Sequence, residues 1–273
     1  MVQELEQEFF IDPVMKKQLD DIIRVVTKKD RDYVLVVDGE EGSGKSVLAM
    51  QLAKYLDPKF NLDRVVFNSD GFMKAIKSIP RYSCILLDEA YNAANSRAAL
   101  TEVNRSMVAV GTEMRQRNLF VIMVLPSFFD LDKYFALWRC RALIHTYFDK
   151  KGDRGRYIVF PRTSKKYLYI NGKKKYDYSK PHSPYPACRF NNHYTVDELA
   201  YREKKSLAFT KRTVSNQARK WFIQRNAYIK YIFQSLGLTQ EELARIPAQY
   251  GGVPLSHQQI SNIMQEIDES PRD

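Results

Sequence analysis

The chain is poor in the features that mark membrane, secreted or metal-bound proteins. No uninterrupted apolar run approaches the ~18–20 residues that a membrane span needs. Residues 1–8 are rich in glutamate and carry no lysine or arginine, unlike the basic start of a signal peptide. Cysteine occurs only at Cys84, Cys140 and Cys188, with no C-x-x-C pair, and an odd count argues against a disulfide framework. A reducing cytoplasm is the expected compartment. Histidine is equally sparse. His182 and His193 make no zinc-like spacing with Cys188, and His145 reads as a strand-end residue. Internal repeats and low-complexity tracts are absent. What is left is a chain of 273 residues, 44% hydrophobic, long enough for one large α/β domain and a small appendage.

Charge is plentiful but unevenly spread. The net charge is +11, yet residues 1–149 hold 20 basic against 21 acidic residues. Residues 150–180 hold 11 basic against 2 acidic, and residues 201–230 hold 9 against 1. A near-neutral first half joined to a basic second half suggests a polyanionic partner. Nucleic acid fits better than a membrane surface, because no basic amphipathic anchor or lipidation motif is present. The alternative is a solvated basic surface that serves solubility.

The most informative stretch runs from Val34 to Ser46: apolar strand, glycine-rich loop, then a helix over 47–56. Gly39, Glu40, Glu41, Gly42, Ser43, Gly44, Lys45 and Ser46 fit G-x-x-x-x-G-K-[ST], the phosphate-binding loop of NTPases. The glycines permit backbone conformations in which successive N–H groups, continued by Val47, point inward at phosphate oxygens. The helix start adds its positive end. Lys45 is expected to reach the β- and γ-phosphates of ATP, and Ser46 to hold Mg²⁺. The alternative is a glycine-rich turn that matches by chance.

A second signature follows at Cys84-Ile85-Leu86-Leu87-Asp88-Glu89. Its apolar part predicts a strand buried on both faces. Asp88 then emerges where α/β sheets place their ligands, and can share the Mg²⁺ with Ser46. Glu89 can polarise the attacking water as catalytic base. The bland reading is a strand that ends in two solvated acids.

Elsewhere Asp12-Pro13 predicts a helix start, with an amphipathic helix over 13–29. Ser69 is expected to cap a helix running to about residue 79. A long polar helix is expected over 93–117, with a buried strand over 119–125 after it. Ser127 at that strand's end can sense the γ-phosphate, or can simply cap a helix over 128–137. A fifth strand is expected over 142–145.

Two nucleotide motifs with a further strand between the second and the fifth resemble the additional-strand, catalytic-glutamate branch of P-loop ATPases, over about residues 30–148. That branch holds the AAA+ proteins, RecA-like motors, FtsK–HerA translocases and viral packaging ATPases. The resemblance implies an α/β P-loop NTPase core with a parallel sheet ordered 5-1-4-3-2, and a ring-shaped homo-oligomer, a hexamer being one candidate. It also implies that Arg139, just before the fifth strand, is a catalytic arginine reaching the neighbour's γ-phosphate, with Arg141, Arg115 and Arg117 in reserve. The segment from Arg115 to Pro126 is similar to zonular-occludens-toxin-like ATPases of phages and mobile elements, which usually carry a transmembrane helix.

Residues 150–195 read as a basic β-hairpin extension. Strands are expected over 156–160 and 166–170, turned by Asn171-Gly172 before Lys173, Lys174 and Lys175. The interleaved Tyr157, Tyr167, Tyr169, Tyr176 and Tyr178 can stack on bases or pack on the core. Residues 196–273 read as a helical domain with two capping boxes, Thr239–Glu242 and Ser256–Gln259. The last helix offers His257, Gln258 and Ser261 near its start, as the reading helix of a helix-turn-helix would. The link over 247–255 is long for that motif, and a protein-contact hairpin is the alternative.

The expectation is an ATP- and Mg²⁺-dependent ATPase acting on DNA. It could be a translocase or packaging motor, a replication initiator or helicase loader, or a DNA-binding switch with little turnover. A small-molecule kinase fits less well, since it needs no water-activating Glu89.

Overall fold

The computed structural model describes residues 9–88, 110–212, 216–249 and 255–266. They form two compact units, 1–208 and 209–273. The first is an α/β unit around a mostly parallel seven-stranded sheet ordered β2-β3-β4-β1-β5-β6-β7.

Its first half follows the sequence pattern closely. Helix α1 spans Pro13–Lys28, and the Asp12 carboxylate accepts from the Val14 N–H at 3.0 Å. Proline at the first position loses nothing, since that N–H has no helical partner. Strand β1 (Tyr33–Gly39) leads into helix α2 (Lys45–Leu56). Strand β2 is only Val65–Val66, and helix α3 spans Ser69–Ser78. Its cap is Asn68 rather than Ser69: the Asn68 Oδ1 accepts from Gly71 N–H at 2.7 Å. Strand β3 (Cys84–Leu87), helix α4 (Gly111–Gln116) and strand β4 (Phe120–Val124) follow. Most of the helix expected over 93–117 lies outside the described residues.

β1 pairs in parallel with β4 and with β5 (Cys140–Tyr147), and β3 pairs in parallel with β2 and β4. Side chains alternate between the two faces. Leu35, Val37, Ile122 and Val124 meet α1 and α2, whereas Val34, Val36, Val121 and Met123 meet α3 and α4. All are buried, and each such side chain contributes about 1.5–3 kcal/mol of transfer free energy. With both faces covered, the central strands have to be apolar runs.

Beyond residue 149 the structure departs from expectation. Strand β6 (Arg156–Phe160) adds antiparallel to β5, and β7 (Cys188–Arg189) adds to β6. Residues 150–195 therefore continue the core sheet instead of forming a separate hairpin. The expected second strand is a helix, α5 (Arg162–Gly172). Its buried residues, Lys165, Leu168, Tyr169 and Gly172, recur at spacings of three and four, which is one helical face. Gly172 is not a hairpin turn residue. It ends α5 where a β-carbon would lie 2.8 Å from the Phe129 ring, so it is there for close packing.

Helix α6 (Glu198–Arg212) follows. The second unit holds α7 (Asn216–Leu236), α8 (Gln240–Gln249) and α9 (His257–Glu266). Both capping boxes form. Glu242 N–H donates to Thr239 Oγ1 at 3.3 Å while Thr239 N–H donates to Glu242 Oε2 at 2.8 Å. Ser256 and Gln259 make the same exchange at 3.2 and 2.9 Å. Leu243 of α8 and Ile260 and Ile263 of α9 are buried. Among the described residues no helix is long and apolar enough to cross a membrane.

Candidate functional site

The C-terminal edge of the sheet gathers the polar groups. Gly39, Gly42 and Gly44 all have positive φ, at 139°, 79° and 91°, a region that side chains disfavour. Gly39 and Gly44 also have no room. A β-carbon on Gly39 would lie 2.2 Å from Thr146 O, and one on Gly44 2.8 Å from the Phe190 ring. Ser43 is buried and anchors the loop, its Oγ lying 2.7 Å from Glu40 O and from Thr146 Oγ1. Glu40 and Glu41 are exposed, and Val47 is buried in the core. Helix α2 starts at Lys45 with Gly44 as its cap residue, and no side chain caps it.

Lys45 Nζ donates to Gly39 O at 2.8 Å and to Glu40 O at 2.7 Å, so the ammonium curls over the loop. Ser46 Oγ donates to Asp88 Oδ1 at 3.0 Å, joining residues 42 positions apart. Asp88 is fully buried at the end of β3, where its N–H donates to Val66 O at 2.9 Å. A hydroxyl and a carboxylate so placed make a pair of hard oxygens. Glu89 lies outside the described residues.

Two residues at this site have no motif to announce them. Tyr201 of α6 is buried, and its hydroxyl donates to Asp88 Oδ2. One turn on, Lys205 Nζ lies 4.0 Å from the same oxygen. The segment before α6 is strapped to α2: Gln51 Nε2 donates to Asn191 O and His193 O at 2.9 and 2.8 Å, and Thr195 Oγ1 donates to Met50 O at 3.0 Å. Lys204 fastens α6 itself, donating to Leu62 O and Val65 O at 2.8 Å, and burial lowers its pKa. Only the i, i+4 spacing of Tyr201 and Lys205 was visible in the sequence.

A second buried carboxylate, Asp38, sits just ahead of the loop. Its Oδ2 accepts from Phe128 N–H at 2.7 Å and from the Tyr178 hydroxyl, and its Oδ1 lies 2.9 Å from His145 Nδ1. Tyr178 stacks on His145 at 3.9 Å between centroids. Burial, then the Asp38 charge, pushes the Tyr178 phenol well above its ordinary value, so it stays a donor. Ser127 belongs to this cluster. Its Oγ lies 3.2 Å from Tyr178 Oη and accepts from Phe129 N–H at 3.2 Å. It caps a short 3₁₀ turn over Phe128–Asp130, not a helix reaching residue 137. Its hydroxyl is engaged by the turn and by Tyr178, as the capping alternative expects.

Arg139 is at the other end of the sheet. Its guanidinium donates to the buried Asp32 carboxylate at 2.6 Å. Arg117 is likewise engaged, with Ile79 O and Lys77 O. Lys173, Lys174 and Lys175 are all exposed, and Lys173 Nζ turns back to Tyr169 Oη and Leu131 O. Of the five tyrosines expected to stack or pack, Tyr157 and Tyr169 are buried, Tyr178 joins Asp38, and Tyr167 and Tyr176 are exposed. In α9, Gln258 is exposed and its Nε2 donates to Asn262 Oδ1 at 3.1 Å, and Ser261 is half-buried.

No protein-family model matches this chain, and a search of curated proteins finds no match either.

Proposed function

We propose that the chain is a Mg²⁺-dependent ATPase that acts on DNA, with Gly39–Ser46 as its phosphate-binding loop. The observation that carries this reading is the meeting of Ser46 and Asp88 at 3.0 Å beside a lysine-bearing loop of positive-φ glycines. The strand order, read from β5 to β2 as 5-1-4-3-2, supports it as well. The donors suit the ligand. The positive-φ glycines of the loop, leading into the positive N-terminal end of α2, suit phosphate oxygens. Ser46 and Asp88 would hold Mg²⁺, which ordinarily takes one or two carboxylates plus substrate phosphates and water. Among the described residues no cluster of three His, Cys, Asp or Glu offers a fuller metal cage. A bound Mg²⁺ would supply charge neutralisation at the phosphates. Lys45 would leave Gly39 O and Glu40 O for the β- and γ-phosphates, and Glu89 would take the proton of the attacking water.

The basic charge beyond residue 149 supports a polyanionic substrate. We read the protein as a translocase or packaging motor of a mobile element or virus, assembled as a homo-oligomeric ring in the cytoplasm. Three buried free cysteines are compatible with that compartment. The Asp32 salt bridge weighs against Arg139 as the arginine acting in trans and leaves Arg141 and Arg115 as candidates. A replication initiator or helicase loader is the second reading, favoured by the two capping boxes that open α8 and α9. In that case His257, Gln258 and Ser261 would meet base edges.

Nucleotide binding and turnover, measured with and without single- and double-stranded DNA alongside particle mass, test the proposal. Lys45→Ala should lose ATP binding. Glu89→Gln should bind ATP yet turn over about 100-fold more slowly or worse. Hydrolysis at the wild-type rate by Glu89→Gln would remove that residue from the mechanism, and ATP binding by Lys45→Ala would sink the phosphate-loop assignment.

A further inference from the structure

A surface formed by the turn before β5 and the outward face of α5 combines two properties. The first is exposed aromatic area. Tyr134 and Trp138, around the π-helical turn Phe135–Arg139 that precedes β5, are 55% and 53% exposed. Tyr167 and Ile170 on the outward face of α5 are 57% and 60% exposed. Large apolar side chains left this open mark a contact surface. The second is a run of positive charge along α5 and the residues after it. From Arg162 to Lys175 the chain holds six basic residues and no acidic one, and only Lys165 among them is buried.

The two segments form one surface. Lys166 Nζ lies 3.7 Å over the centroid of the Trp138 ring, which puts the α5 face beside the π turn. The surface is also rigidly backed. Buried Lys165 donates to the carbonyls of Ala136 and Leu137, inside the turn that carries Trp138. Tyr169 donates to Leu131 O at 2.7 Å. The rings are therefore held in place ahead of any ligand, so little ordering cost falls on binding.

We infer that this surface is a stacking platform for single-stranded nucleic acid, with Tyr134, Trp138 and Tyr167 under the bases and Arg162, Lys166 and Lys174 along the phosphates. The inference rests on the DNA reading above and names the form of DNA. Charge complementarity selects a polyanion. Exposed rings add binding only where bases are unstacked, because a duplex hides their faces. Protein contact surfaces are depleted in lysine, so a second copy of the chain fits this composition less well.

The full-length chain allows a direct test, because it has two tryptophans, Trp138 and Trp221. In Trp221→Phe, the remaining Trp138 emission should be quenched on titration with a thymidine oligonucleotide and little changed by a duplex of the same length. The double variant Trp138→Ala/Tyr167→Ala should lose about 30-fold in affinity for the oligonucleotide, keep its duplex affinity and keep basal ATP turnover. Unchanged oligonucleotide affinity in the double variant, or no quenching at saturation, overturns the platform. So does a fall in particle mass with oligonucleotide binding intact, which makes the surface a contact between copies. Wild-type protein that binds duplex but not single strands defeats this inference alone, whereas wild-type protein that binds neither defeats the DNA reading and the platform with it.

Discussion

Asp38 and Asp88 are both fully buried carboxylates at the same edge of one sheet, yet their surroundings differ in kind. Asp38 is held by a backbone N–H, a phenol and an imidazole, on three segments that pack against one another. Asp88 is held by side-chain hydroxyls of Ser46 and Tyr201 with an ammonium nearby. A backbone donor inside a packed turn cannot leave without unfolding that turn. A serine hydroxyl can rotate and a lysine can swing, which would let the Asp88 oxygens be shared with a cation if Asp88 is the Mg²⁺ ligand proposed above. One carboxylate fastens the loop's base, and the other is the one that, on the proposed reading, would take the cation. Burial alone does not separate a structural acid from a ligand.

The sharpest way to break this contrast is to neutralise each acid in turn. Asp38→Asn should cost about 2–3 kcal/mol of stability, because an amide cannot accept from all the donors that now converge on the carboxylate. A fall of roughly 5–10 °C in thermal midpoint without ligand would show it. Asp88→Asn should change that midpoint far less. It should instead lose the extra stabilisation that Mg²⁺ and ATP confer on the wild type, about 2.7 kcal/mol at a hundredfold excess over Kd. If both variants lose the same stability without ligand, the two acids are alike and the contrast falls.

A smaller effect should come from Tyr201→Phe, which removes one hydrogen bond and leaves the ring in place. Tyr201 is a positioning residue in this reading, acting through Asp88. The Mg²⁺ concentration needed for half-maximal nucleotide binding should rise about 10-fold, as for other groups that orient a metal ligand, with turnover at saturating Mg²⁺ nearly unchanged. An unchanged Mg²⁺ requirement would show that the tyrosine serves packing with Phe67 and Tyr194 alone.

The sequence was most legible where local chemistry decides. The Asp12-Pro13 start, both capping boxes and the positive-φ glycines depend on neighbours within a few positions, and each forms. It misled where local preference and packing disagree. Tyr167, Leu168, Tyr169 and Ile170 suit a strand, and Asn171-Gly172 suits a hairpin. Packing overrides both, since a helix puts Lys165, Leu168, Tyr169 and Gly172 together against Phe129 and the turn before β5. The partners of Ser127 and Arg139 were not legible either: Tyr178 lies 51 residues later and Asp32 107 residues earlier.

By itself, then, the sequence determined the loop, the strand that ends in Asp88, the helix caps and the basic second half, because these follow from backbone sterics, hydrophobic runs and composition. The tertiary structure alone decided that residues 150–195 complete the sheet, that Tyr201 and Lys205 reach Asp88, that Asp38 is fastened by Tyr178 and His145, and that aromatic rings gather beside a cation-rich helix. These depend on contacts between segments far apart in the chain, where the free energy of burial is shared among residues whose spacing carries no periodic signal.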